Sequence, residues 1–170
     1  FLPFSDIMKH ANVLSIIMDI DVNKLFAENP PAVIALAAES IAKDTPTSAE
    51  RRMDRVGRPE ITNVSMVDHK GDADIRDKFN LDQPFNVAAA NQESYKARLA
   101  KNIRFYDSID EKQDWNDADR DGLADVLAND FLVVDVSKPC DKDAFFDIEK
   151  SMIRHSAYET CGGRKPNDDI

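Results

Sequence analysis

The sequence predicts an α+β fold. Three observations carry that reading: apolar runs suited to strands at 13–20 and 131–136, a helical stripe over 93–109, and turn-rich connectors between them. With 170 residues and 42% hydrophobic content, the chain is long enough for one domain with its own core and too short for two.

The elements follow in order. Residues 13–20 are rich in β-branched side chains and predict a strand, followed by a helical turn at 22–27 that Pro30-Pro31 stops. Residues 32–41 predict a second strand, although their alanines leave a helix open. Residues 43–50 form a polar connector, and 61–67 alternate like a third strand. Asp72, Asp74, Asn80, Pro84 and Asn86 interrupt any periodicity between 71 and 92, which predicts a surface loop.

Helical spacing begins at 93. Tyr95, Leu99, Ile103 and Tyr106 recur at intervals of four and three, so they share one buried stripe of a helix over 93–109. A short helix is expected after an acidic loop. The near-continuous apolar run at 131–136 then predicts a strand covered on both faces, and alternation over 145–153 predicts another. Gly162 and Gly163 make a turn.

The strongest chemical signal is the acidic loop. Nine acidic residues against two basic ones lie between Asp107 and Asp130. Within that stretch Asp117, Asp119 and Asp121 fall at positions one, three and five of a calcium-loop pattern, Gly122 at six, the Leu123 carbonyl at seven and Asp125 at nine. Position twelve is Ala128, so the closing carboxylate of an EF-hand is missing. The expected site is therefore a looser loop, completed by Asp114, Asn116, water or a distant segment. The competing reading is an acidic turn that caps a helix, because Leu123, Val126 and Leu127 have helical spacing.

Other residues carry weaker signals. Arg58, between Gly57 and Pro59, is suited to binding a carboxylate or phosphate, or to pinning a loop through carbonyls and acids, and the second role is the commoner one. Cys140 and Cys161 are either bridged in an oxidising compartment or free thiols in a reducing one. His10, His69 and His155 are far apart, and lone histidines are mostly structural or exposed. Asn63-Val64-Ser65 matches a glycosylation acceptor only as a tripeptide. Trp115 either anchors the acidic loop or stacks on a sugar or another chain.

Several classes are disfavoured. The formal net charge of -10 repels nucleic-acid backbones and anionic membranes. No apolar run is long enough to span a bilayer. Nucleophile elbows, phosphate-cradling loops, zinc helices and dinucleotide fingerprints are missing, and abundant carboxylates alone do not make a hydrolase.

Four segments together carry a family likeness: Arg55-Val56-Gly57-Arg58-Pro59-Glu60-Ile61-Thr62-Asn63-Val64, Arg76-Asp77-Lys78-Phe79-Asn80, Asp121-Gly122-Leu123-Ala124-Asp125-Val126-Leu127, and Cys161-Gly162-Gly163-Arg164-Lys165-Pro166-Asn167-Asp168-Asp169-Ile170. In this order, from about residue 12 to 170, the chain resembles a bacterial domain-of-unknown-function family, the one numbered four-three-three-one. The resemblance implies an exported protein, periplasmic or extracellular, with a β-rich, sandwich-like body of mainly antiparallel strands. It also implies a Cys140–Cys161 disulfide and a chain that is a processed or partial piece, which fits a first residue other than Met. It implies no catalytic residues.

The expected function is an exported, calcium-stabilised structural or interaction module that assembles with other chains or copies of itself. A ligand- or cofactor-binding accessory subunit of a periplasmic redox system is the alternative. A metal-dependent hydrolase comes third.

Overall fold

The computed structural model describes residues 16–26, 29–58, 61–68, 70–71, 73–109, 112, 115–140, 144 and 146–163, with only the backbone described at 63 and 64. His10, His69, Asp114 and the first three residues of the 13–20 run lie outside this set. The described elements follow in the order α1 (Val22–Phe26), β1 (Val33–Leu36), β2 (Ala38–Ala42), β3 (Arg51–Val56), a π-helical turn (Ile61–Ser65), α2 (Asp74–Leu81), α3 (Ala89–Asp107), α4 (Asp117–Ala128), β4 (Leu132–Asp135) and α5 (Asp147–Arg154). The α+β class is as the sequence predicts. The described strands form two small sheets, and no sandwich is seen among them.

Both sheets are built on one strand line. β1 pairs antiparallel with β4, and β2 pairs antiparallel with β3, with only Ala37 between β1 and β2. Leu36 faces Leu132 and Ala38 faces Val56, so Gly57 and Phe131 both approach the position opposite Ala37. They meet there: a β-carbon on Gly57 would lie 2.8 Å from the Phe131 Cα. Strands on opposite sides of 33–42 would stand about 10 Å apart, twice the inter-strand spacing. β3 and β4 therefore line the same side, and the far edge of 33–42 has no strand partner among the described residues.

The core lies between the helices. Ile61, Met66, Phe79, Tyr95, Leu99, Ala124, Leu127 and Ala128 form it, with Phe79 and Tyr95 edge to face at 5.0 Å. α3 packs along α4, and α2 lies against β3. Tyr95 and Leu99 occupy the expected stripe, but Tyr106 is half-exposed, and the polar Asn102 takes a fully buried place on that face.

Five expectations are corrected. Residues 16–20 are not a strand, and Ile16, Ile17 and Met18 stand exposed, because no neighbour among the described residues supplies ladder hydrogen bonds. Residues 61–67 are not a strand, since Ile61–Ser65 closes a π-helical turn with the Met66 amide donating to the Ile61 carbonyl at 2.8 Å. The Asn102 amide donates to the Ser65 and Val67 carbonyls at 2.8 Å each, replacing the bonds a sheet would make. Residues 71–92 are not all loop: α2 and the first turn of α3 lie there, and α2 is fastened by Phe79, its single fully buried residue.

Residues 145–153 form no strand in their described part but start α5, which presents Ile148, Glu149 and Ser151 inward. An apolar pair at 148 and 152 satisfies either period, and Met152 is in fact exposed. Finally, 117–125 is not a loop. It is the body of α4, capped by the Asn116 side chain accepting from the Asp119 amide at 2.9 Å, with Asp117 and Asp119 in the first turn where the helix dipole favours acids. Residues 51–56 had too little apolar alternation to be read as β3.

Candidate functional site

The five residues proposed for a cation stand on one helix and do not converge: Asp117, Asp121 and Asp125 are strung at four-residue intervals along one face, and Asp119 lies on another. Successive helical residues turn by about 100°, so Asp117 and Asp119 project to different sides, and the Leu123 carbonyl runs along the helix axis. The chain's own cations hold two of the acids. Asp117 accepts from Arg120 at 2.6 Å and from Arg104 at 2.9 Å, which together keep its carboxyl below the ordinary range, Arg120 contributing most. Asp125 pairs with Lys96 at 2.8 Å, and that bond raises the lysine. Asp119 accepts from the Asn116 amide at 2.7 Å, and Asp121 is exposed. Among the described residues no group of three or more His, Cys, Asp or Glu side chains is gathered to hold a metal ion.

Arg58 is buried and pins three segments. Its Nε donates to Glu149 Oε1 on α5 at 2.9 Å, its Nη2 lies 2.9 Å from the same oxygen, and its Nη1 donates to the Val126 carbonyl at 3.1 Å. Its backbone N–H donates to Asp130 Oδ1 at 2.7 Å, and that of Gly57 to Asp130 Oδ2 at 3.1 Å. One buried carboxylate thus ties the end of β3 to the end of α4. Burial pushes the Asp130 carboxyl up, while the two amides and the nearby Arg55 and Arg58 oppose it. Sequence reasoning missed Asp130 and Glu149, because their partners lie more than seventy residues away.

A second buried knot sits behind it. The Arg55 guanidinium lies 3.5 Å over the Phe79 ring, and burial lowers its pKa. Tyr95 donates to Asp82 Oδ2 at 2.5 Å, and burial with that bond raises the phenol.

The carboxyl-terminal part is stapled. Cys140 and Cys161 form a disulfide with Cα atoms 5.1 Å apart. Asp135 accepts from the Ser137 hydroxyl and amide and from Tyr158, while Asp147 accepts from the Thr160 hydroxyl and from the Thr160 and Glu159 amides. These bonds hold both carboxyls below their ordinary range. Gly162, at φ +65°, lets the chain approach the Val133 carbonyl, where a β-carbon would stand 2.8 Å away. Residues 161–163 thereby cover the outer edge of β4.

A groove runs between α4 and α5. One part, of about 360 Å³, is lined by Trp115, Asp119, Lys150, Ile153 and Arg154, and an adjoining part of about 420 Å³ shares Asp119 and Ile153 and adds Gly122, Asp125, Met152 and His155. Lys150 and Arg154 are exposed and make no ion pair among the described residues. Trp115, half-exposed, stands at one end. Apolar side chains, indole and two exposed cations together suit an anionic ligand with a planar or apolar portion.

No family model matches the chain, and no curated protein or solved structure matches it either.

Proposed function

We propose that the chain is a non-catalytic structural or interaction module that assembles with other chains or copies of itself. The observation that carries this reading is the exposed apolar surface of the strand ribbon, where Val33, Leu36, Ile41, Met53 and Val56 are each more than two-fifths exposed beside a strand edge that is open among the described residues. Water is a poor partner for such a surface. By contrast, the buried polar groups Arg58, Glu149 and Asp130 are engaged with one another or with backbone, so they hold the body together.

Export to the periplasm or outside the cell belongs to the same proposal. The Cys140–Cys161 disulfide supports it through the oxidising conditions such bonds need, and among the described residues no helix is long and apolar enough to cross a membrane. Membership of the domain family numbered four-three-three-one is proposed on the same footing. Its support is that Arg55, Gly57, Arg58, Cys161 and Gly162, which carry the resemblance, all lie at structural junctions. A sandwich-like body would need further strands along the open ribbon edge. Calcium stabilisation is left out of this proposal, because Arg104, Arg120 and Lys96 already hold two of the acids of α4, Asp117 and Asp125.

Sedimentation velocity from micromolar to millimolar protein tests the proposal. A mass that rises with concentration is the expected result. A mass that stays monomeric throughout counts against assembly and favours the second reading, in which the groove between α4 and α5 takes a small anionic ligand through Trp115, Lys150 and Arg154. That reading keeps alive the ligand-binding accessory subunit.

A further inference from the structure

Building on the assembly reading, we propose that the partner is a second copy of this chain, and that two copies join antiparallel through the open edges of residues 33–42 into one continuous sheet. Val136 N–H donates to the Ala32 carbonyl at 2.8 Å, which sets the phase of the ladder: residues 32, 34 and 36 turn their backbone groups toward β4. Val33 and Ala35 therefore turn theirs to the open edge. The opposite side of β4 obeys the same phase, since Asp135 and Val133 bond residues 161–163.

What favours a second copy is the composition of that edge. Soluble proteins guard long edges with lysines, prolines or inward charges. Residues 33–42 contain none of these, and their single charge, Glu39, is held by Arg52 at 2.5 Å within the same ribbon. The edge is thus locally neutral in a chain of formal net charge -10, so two copies meet without like charges opposed. A two-fold axis at Ala37 places Val33 opposite Ile41 and Ala35 opposite Glu39. It would cover two apolar residues that are 44% and 53% exposed. The contact is isologous and closes on itself, so it yields a dimer and not a fibre.

The test uses the whole chain and two variants. Ala35→Pro removes an edge N–H that the chain's own ladder does not use, and Ile41→Lys puts a charge on an exposed position facing Val33 of the other copy. Sedimentation should show a reversible dimer, and each variant should weaken it roughly tenfold or more. In the wild type, hydrogen exchange at the Val33 and Ala35 amides should slow as concentration rises. If Ala35→Pro does not fold, Ile41→Lys and the exchange data decide. A dimer that the folded variants leave intact, with unprotected Val33 and Ala35 amides, overturns edge pairing while the assembly reading stands. A monomer at every concentration overturns edge pairing and leaves only other chains as partners for the assembly reading.

Discussion

Gly57 and Asp130 are in backbone contact: a β-carbon on Gly57 would lie 1.8 Å from the Asp130 carbonyl oxygen, and the Gly57 N–H donates to the Asp130 carboxylate at 3.1 Å. The contact exists because β3 arrives where β4 is about to begin. No side chain fits between them.

Gly57→Ala should therefore destabilise the fold by about 3 kcal/mol, since the obstructing atoms are backbone and cannot rotate away. Urea denaturation measures it. A loss below about 0.5 kcal/mol, the size of an ordinary surface change, would mean that the strands do not converge at this point.

The Arg58–Glu149 pair yields a double-mutant prediction. Both side chains are almost fully buried, so Arg58→Ala alone should cost about 3–5 kcal/mol by leaving a buried carboxylate without its cation. Arg58→Met combined with Glu149→Leu should cost clearly less than the sum of the two single changes. Additive losses in the cycle would show that the two groups are not coupled.

Reducing the Cys140–Cys161 bridge should lower stability by about 3 kcal/mol, the chain-entropy value for a loop of this size. Denaturation with and without reductant reads this directly, and a Cys140→Ser, Cys161→Ser double variant should match the reduced wild type. Equal midpoints in both conditions would remove the staple from the account of stability.

Acid should loosen the carboxyl-terminal segment first. Asp135 and Asp147 have folded pKa values below the ordinary 3.8, so their contribution is present above that value and is lost as pH falls through the folded ones. Asp130 has the opposite sign: its raised folded pKa means that the native state takes up its proton more readily, and stability from this group falls as pH rises from about 4 through the folded value. Hydrogen exchange at the Glu159 and Thr160 amides should therefore accelerate below pH 4 before the α3 amides respond. Asp147→Asn should remove much of that pH dependence, and an unchanged profile in the variant would contradict the assignment.

Calcium at millimolar concentration should leave the melting temperature within the shift of an ionic-strength control, because the aspartates of α4 are spread along one helix and two are held by the chain's own cations. A specific rise with calcium and none with matched sodium would restore a cation to this segment.

Some of this architecture was legible in the sequence because it depends on local pattern. The helix around Tyr95 and Leu99, the strand at 131–136 and the extended run at 32–41 all follow from side-chain period, which the chain writes within a few turns or residues. The acidic stretch shows the limit of that method. Asp117, Asp119 and Asp121 fit a cation loop and a helix start equally well by spacing, and the Asn116 cap together with burial of Ala124 and Leu127 selects the helix.

By itself, the sequence determined an α+β class, one long amphipathic helix, the strand runs at 32–41 and 131–136, and a pair of cysteines available for bridging. Only the tertiary structure decided that 145–153 starts a helix carrying Glu149 to Arg58, that 61–67 coils against Asn102, and that Gly57 meets Asp130. The physical reason is distance along the chain. A period is a property of neighbours, whereas a buried charge or a forbidden β-carbon is defined by atoms more than seventy residues away, and those come together only when the core closes.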